Sequence, residues 1–192
     1  GSKRRLPGAW ALYTIWVKLE PAKQAPPLPV VLLLALCQMA LDECLPEMAM
    51  YLLVAFHCFL RPLELLQVTG ADIWIARDGQ KATITFMNTK TSGQKGPETI
   101  TLDDPAVIWW LKRFRKAGTS KLLEVTPYAL RTWIMACLQK LAPGHEFQLY
   151  SIRRGGATAD FLRHRSVERV MLKGRWRDLR TFTIYLKEPE AL

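Results

Sequence analysis

Hydrophobic residues recur along this chain first at the spacing of a helix and then at that of a strand. Residues 28–44 and 47–60 are apolar on most faces of a helix, so both helices are predicted to be buried. A short helix over residues 62–67 is predicted next. The residues expected to pack inward from it are Leu63, Leu65 and Leu66.

The middle of the chain changes to short β-branched segments, which predict strands over residues 72–76, 81–87 and 98–102. Asp78-Gly79, between the first two, is typical of a hairpin turn. Residues 88–97 are polar and contain glycine, so we expect an exposed loop there. Together these segments predict a small antiparallel sheet.

Helical spacing then resumes and predicts helices over residues 104–116, 128–141, 149–164, 167–172 and 178–186. Asp103 or Asp104 can cap the first of these, and Thr126-Pro127 opens the second. The predicted fold class is therefore mainly α with a small three-stranded antiparallel β-sheet (α+β).

Composition and charge narrow the class of protein. With 192 residues, 49% of them hydrophobic and 23% charged, the chain is expected to be globular, as one domain or two very small ones. Its net charge is +10, and residues 150–180 hold nine Lys or Arg against three Asp or Glu, an excess of six. Such a cluster favours a polyanionic partner, with a solvated basic face as the plain alternative.

The sequence does not indicate metal, disulfide or membrane chemistry. The cysteines lie in apolar helical stretches without a CxxC pair, as expected of small core residues in a reducing compartment. The apolar run over residues 28–39 is shorter than the roughly 20 residues that span a bilayer. The cysteines are Cys37, Cys44, Cys58 and Cys137, and the histidines, which also lack ligand spacing, are His57, His145 and His164.

The N-terminal part differs from the rest. Residues 1–27 are expected to comprise a cloning scar at Gly1-Ser2, an N-terminal arm and a proline-rich linker, ahead of one domain over residues 28–192. No signal peptide opens the chain, so we expect an excised intracellular domain.

Several polar residues suit cleavage of a phosphodiester without a metal, which needs a nucleophile, cations and an acid. Tyr185 is the candidate nucleophile; an ordinary phenol has a pKa of about 10, so it needs neighbouring cations or a base. Arg61 and Arg153 supply guanidinium forks that match phosphate oxygens. The indole N–H of Trp176 can donate a further hydrogen bond, and Lys90 can protonate a leaving 5′-oxygen.

In this order the residues resemble the catalytic domain of the tyrosine recombinases, the phage-integrase-like enzymes that include Cre and the Xer proteins. The family pattern is arginine, a hairpin lysine, His-x-x-Arg, His or Trp, and then tyrosine. Arg61 with Glu64 fits the first box, and Lys90 follows 29 residues after Arg61. Trp176 lies the customary nine residues before Tyr185. The resemblance covers the chain from about residue 28 onward.

The chain departs from the family pattern at Tyr150, where histidine is most frequent. Arg153, followed by Ala157-Thr158, fits the arginine of that box. A tyrosine can hydrogen-bond a phosphate but accepts a proton poorly near neutral pH, which weakens general-base assistance. His145 is nearby in sequence, but its spacing does not match the pattern.

The resemblance implies an enzyme that breaks and rejoins double-stranded DNA through a 3′-phosphotyrosyl bond, with no metal, cofactor or ATP. It also implies a core-binding domain before this one, which we expect to be absent here because only about 27 residues precede the first long helix. A tetramer of the full-length protein on DNA is implied too, with a nuclear location in a eukaryote or a cytoplasmic one otherwise. The implied catalytic residues are Arg61, Lys90, Tyr150, Arg153, Trp176 and Tyr185, with Glu64 as a supporting partner. The basic residues expected to contact DNA are Arg154, Lys173, Arg175 and Arg177.

Three alternatives stay open. The substitution at Tyr150 favours a recombinase-derived DNA-binding module that has lost its activity. Type IB topoisomerases share the chemistry, but Ala157-Thr158 and the short chain favour a recombinase. The third is a helical protein-interaction domain, in which adjacent Trp109 and Trp110 cannot both face one core. Its interface tryptophans would be Trp10, Trp16, Trp109, Trp110 and Trp133.

Overall fold

Two helices precede a small sheet and four follow it in the computed structural model, which describes residues 25–87 and 96–176. The α-helices are α1 Val30–Asp42, α2 Pro46–His57, α3 Pro105–Phe114, α4 Pro127–Leu141, α5 Leu149–His164 and α6 Val167–Gly174. The strands are β1 Ile73–Ile75, β2 Ala82–Phe86 and β3 Glu98–Leu102, and two 3₁₀ turns are Leu65–Gln67 and Gly70–Asp72. The predicted fold class is confirmed.

The three strands form one antiparallel sheet in the order β1-β2-β3. Ile84 of β2 pairs with Ile73 on one side and Ile100 on the other, and all three side chains are buried. Because successive side chains of a strand point to opposite faces, this register turns one face of the sheet to the core. At the far end of the hairpin Phe86 pairs with Glu98.

Helix α2 lies at the centre of the core and packs against α1, α3 and α5. Most of its residues are buried, as its apolar sequence predicts. The helices around it begin where capping predicts. The Asp104 carboxylate accepts hydrogen bonds from the Ala106 and Val107 amides, and the Thr126 hydroxyl accepts one from Ala129.

Three predictions about burial are wrong. Residues 62–64 form a turn rather than the start of a helix, so Leu63 is 43% exposed while Leu65 and Leu66 are buried. Cys44 follows the end of α1 with a positive φ of 58° and is exposed, unlike the other three cysteines. Helix α1 is not buried on all faces. Its exposed apolar side chains are Val30, Val31 and Leu34.

None of the helices in residues 25–87 and 96–176 is both long and apolar enough to cross a membrane.

Two adjacent glycines let α5 approach its neighbours at backbone distance. A Cβ on Gly156 would lie 2.0 Å from the carbonyl oxygen of Phe56 in α2, and one on Gly155 would lie 2.1 Å from that of Leu28. The Leu28 amide donates to the Ser151 carbonyl at 2.9 Å, which ties the extended segment before α1 to α5. The glycines thus fix the first half of α5, where Arg153 lies.

We expect Gly156→Ala to lower the free energy of unfolding by about 1–3 kcal/mol, because the new methyl group overlaps a backbone atom that cannot move aside cheaply. In an open helix the same change raises the free energy of unfolding by about 0.5–1 kcal/mol. The sign of the change therefore shows whether α5 and α2 are in backbone contact. Urea unfolding followed by circular dichroism measures the effect. Ala159→Gly on the same helix is the matched control and should cost only about 0.5–1 kcal/mol. A stabilised Gly156→Ala variant would show that α5 and α2 are not this close.

Candidate active site

Arg61 lies in the turn that follows α2. Phe59 adopts a positive φ of 48°, which redirects the chain after the helix. The Glu64 carboxylate accepts from the Arg61 backbone amide at 2.7 Å and from Arg61 Nη1, also at 2.7 Å. The Arg61 side chain keeps 40% of its surface exposed, against 12% for Glu64. The turn therefore presents a guanidinium to solvent with a carboxylate behind it.

Arg153 is held in the interior, with only 1% of its surface exposed. Its Nη2 donates to the carbonyl of Gly174 at 2.6 Å, and its Nη1 donates to the carbonyl of Phe59. The guanidinium carbon lies 4.5 Å from the centre of the Trp176 ring, within cation–π range. Its Nε has no hydrogen-bond partner among the described residues. Arg153 thus joins the turn after α2 to the end of α6.

Charged and polar groups surround the Arg153 guanidinium closely enough to influence it. Burial lowers its pKa, and the positive charges of Arg61 and Arg175 act in the same direction. Tyr150 and Glu64 act in the opposite direction. A guanidinium still stays charged at neutral pH. The hydrogen bonds of Arg153 and the ion pair between Arg175 and Glu64 bring the turn after α2, the first half of α5 and the end of α6 into contact.

Trp176 completes this side of the site. Its amide donates to the Met171 carbonyl at 3.0 Å, and its ring centre lies 6.3 Å from that of Phe59. A Cβ on Gly174 would lie 1.7 Å from the indole ring, so only glycine leaves room for the tryptophan in this position. The Gly174–Trp176 pair therefore places the indole face against Arg153.

A cavity of about 480 Å³ opens beside Arg61, between its turn and the end of β2. Glu64 and Phe86 line it, and Met87 stands at the last described position before the hairpin loop. Lys90, in that loop, lies outside the described residues, and so do Tyr185 and Arg177. The structure therefore describes four of the six predicted catalytic residues: Arg61, Tyr150, Arg153 and Trp176. Arg153 contacts Trp176 directly and bonds the carbonyl of Phe59, two residues before Arg61.

Three of the basic residues predicted to contact DNA are engaged inside the protein. Arg154 is 1% exposed. The Lys173 ammonium lies 3.4 Å from a carboxylate oxygen of Asp160 and 3.6 Å from one of Asp103. Arg175 forms ion pairs with Glu64 and Glu98. Lys173 and Arg175 are thus paired with acids, and a contact of these residues with DNA stays a prediction.

The ion pairs of Arg175 were not predicted from the sequence. Its Nη2 lies 2.5 Å from Glu64 Oε2 and its Nη1 lies 2.8 Å from Glu98 Oε2, while the guanidinium carbon is 5.2 Å from the Phe86 ring centre. A single glutamate at the start of a strand gives no sequence signal of such a contact. The Arg-x-x-Glu spacing at Arg61 does indicate the role of Glu64.

Within residues 25–87 and 96–176, no group of three His, Cys, Asp or Glu side chains is arranged to hold a metal ion.

Solved structures of tyrosine recombinases have this arrangement of helices and strands. XerA recombinase matches with a TM-score of 0.67 at 13% identity, over 89% of this chain and 63% of that one. XerH bound to palindromic difH substrate, in a post-cleavage complex, matches with 0.66 at 14% identity, over 85% and 50%. The Tn1549 transposon integrase in complex with circular intermediate DNA matches with 0.59 at 12% identity, over 86% and 62%.

The chain therefore has the fold of the tyrosine recombinase catalytic domain. It spans between 50% and 63% of the length of those three chains. No family model matches the sequence, and no curated protein matches it. The resemblance stated from Arg61, Arg153, Trp176 and their spacing is thus confirmed at the level of the fold.

Proposed function

We propose that this chain is the catalytic domain of a site-specific DNA recombinase or integrase, which cleaves and rejoins DNA through a 3′-phosphotyrosyl intermediate without metal or ATP. The observation that carries the proposal is that Arg153 donates to the carbonyl of Phe59, two residues before Arg61, and to that of Gly174, while its guanidinium lies over the Trp176 ring. It occurs in the fold of enzymes that have been crystallised with their DNA substrates.

The surroundings of the buried Arg153 guanidinium favour a phosphate as its counterion. Among the described residues its hydrogen-bond acceptors are two backbone carbonyls, so no carboxylate is bonded directly to this buried cation. A buried charge without a bonded counterion is costly. A phosphate diester beside Arg61 and Arg153 would supply the counterion and accept from planar donors that match its oxygens.

In the proposed reaction the Tyr185 oxygen attacks phosphorus in line and loses its proton to water, since Tyr150 is a poor acceptor. The bond from phosphorus to the 5′-oxygen breaks, and Lys90 protonates that oxygen. Arg61 and Arg153 stabilise the charge on the non-bridging oxygens. The phosphotyrosyl ester keeps the energy of the diester, so attack by a 5′-hydroxyl rejoins the strand by the reverse path.

The decisive experiment is to trap the ester. We expect the chain to form an SDS-resistant adduct with a nicked suicide duplex, from which the short 5′-hydroxyl strand dissociates so that rejoining fails. For binding to the same duplex, log Kobs should fall linearly as log salt concentration rises, because phosphate contacts dominate the affinity. Absence of both adduct and salt-dependent binding would contradict the proposal and leave the protein-interaction reading, for which Trp109, 59% exposed, is available.

A second candidate is favoured by Tyr150, which occupies the usual histidine position. In this reading the chain is a DNA-binding module that has lost its activity and keeps the fold for scaffolding or regulation. It would show the salt-dependent binding without any adduct. Assembly of a full-length protein into a tetramer on DNA is part of the first proposal and not of the second.

A further inference from the structure

Arg175 occupies a backbone conformation that disfavours an arginine. It follows the last residue of α6 with a φ of 58°, in the left-handed region that glycine prefers at a helix C-terminus. Its side chain is nevertheless 10% exposed, which means that it is directed inward. A non-glycine residue in this conformation, with its charge turned inward, calls for a specific partner.

The partners are two carboxylates on different elements. Glu64 belongs to the turn after α2, and Glu98 begins β3. Glu64 in turn binds both the backbone amide and the guanidinium of Arg61. A continuous series of contacts therefore runs Arg61–Glu64–Arg175–Glu98 and joins the turn, the end of α6 and the sheet.

The charge of this series depends on Arg175. Counted with Arg153 and among the described residues only, this series holds three arginines and two glutamates, which gives a net charge of +1. Without Arg175 the same groups sum to zero, and two carboxylates would lie beside the incoming phosphate. Burial acts to raise the pKa of Glu64, but hydrogen bonds from Arg175 and Arg61 hold it below its ordinary value, so Glu64 stays ionised near neutral pH.

We propose that Arg175 is a positioning residue of the candidate active site: it holds Glu64 against Arg61 and neutralises Glu64 and Glu98, so that the cluster accepts a phosphate diester. This inference rests on the proposed function. It replaces a direct DNA contact by Arg175, because both arms of its guanidinium fork are already bonded to carboxylates.

The variant that tests it is Arg175→Gly. Glycine suits the left-handed position, so helix α6 should end as before and the variant should fold. We expect the rate of adduct formation on the nicked duplex, at saturating DNA, to fall about 10- to 100-fold, by analogy with residues that orient metal ligands. Duplex affinity should change by less, because Arg61 and Arg153 remain. Arg175→Lys, which keeps the charge, should retain an intermediate rate.

Two further variants separate the effect of the lost charge on the rate from a general effect of losing an ion pair on α6. Arg175→Gly combined with Glu98→Gln restores the net charge of the cluster and should regain much of the lost rate. Arg169→Ala is the matched control. Arg169 lies on α6 and also bridges two carboxylates, those of Asp103 and Asp160, which do not belong to the candidate site. It should keep the wild-type rate within about threefold, as expected of an ion pair that is partly exposed.

The outcomes are distinct. An Arg175→Gly rate equal to that of Arg169→Ala overturns the inference. A slow Arg175→Gly variant that Glu98→Gln fails to improve overturns its electrostatic part, because Glu98→Gln restores the charge but not the contact between Arg175 and Glu64. A wild-type chain that forms no adduct contradicts the proposed function instead. Nuclear magnetic resonance titration of the Glu64 carboxyl then decides the inference by itself: Arg175→Gly must raise its pKa and Arg169→Ala must not, and an unchanged Glu64 pKa in Arg175→Gly overturns it.

Discussion

Tyr185→Phe should bind the nicked duplex with wild-type affinity and form no covalent adduct at all. The change removes one oxygen atom, and that oxygen is the atom proposed to become esterified to phosphorus. No other step in the reaction can compensate for its loss, so the expected effect is complete rather than graded. Denaturing gel electrophoresis of the adduct, together with fluorescence anisotropy of the same duplex, measures both parts of the expectation.

Tyr128→Phe is the matched control for the nucleophile. Tyr128 is 79% exposed at the start of α4, and the same loss of one oxygen there should leave adduct formation unchanged. An SDS-resistant adduct with Tyr185→Phe would show that another residue attacks. Mapping the modified peptide would then identify it, and Tyr150, three residues before Arg153 on α5, is the first residue to examine.

Most of the fold followed from the period of hydrophobic residues and from capping. The predicted boundaries of α5, residues 149–164, agree with the structure, and Asp104 and Thr126 cap their helices as expected. These features are local: a cap or a helix C-terminus depends on residues within one turn. The strands were found for the same reason, since alternation and the hairpin turn are visible in consecutive residues.

Burial was predicted less well, because it depends on neighbours that are distant in sequence. Helix α1 is apolar on most faces, so its sequence cannot tell which face meets the core, and Val31 and Leu34 turned out to be exposed. The exposure of Leu63 has the same origin. Leu63 lies in a short turn before the 3₁₀ turn Leu65–Gln67, and the side of so short a segment that meets the core is set by distant neighbours.

In the candidate site, too, features that depend on local sequence were predicted and those that depend on distant residues were not. Its arginines could be predicted because their chemistry and order are specific, and in the structure Arg153 bonds the carbonyl of Phe59, two residues before Arg61. The basic cluster over residues 150–180 could not be assigned to a surface by counting charges. Acids far away in sequence engage it, as Asp103 does with Lys173 and Glu98 with Arg175. Net charge is therefore a guide to the class of partner but not to the residues that contact it.

The second large effect is expected at Arg153. Arg153→Ala should slow adduct formation by about 10²–10³-fold, by analogy with the loss of one donor from an oxyanion hole. Arg153→Lys should recover little of this, because a lysine offers a point charge in place of a planar fork. Single-turnover kinetics at saturating duplex isolate the effect on the chemical step from any effect on affinity.

Folding must be measured in parallel, because Arg153 is buried and bonds two carbonyls that its loss leaves unpaired. Urea unfolding of each variant, at the temperature and in the buffer of the kinetic assay, shows whether it is folded there, and rates are compared only for folded variants. Arg115→Lys is the control for an arginine that bonds a backbone carbonyl elsewhere, since Arg115 donates to Ile73 at 3.1 Å. Its rate should equal that of the wild type. An Arg153→Lys variant that is folded and reacts at the wild-type rate would show that a guanidinium fork is not needed, and the phosphate would then have to be held by Arg61 and groups outside the described residues.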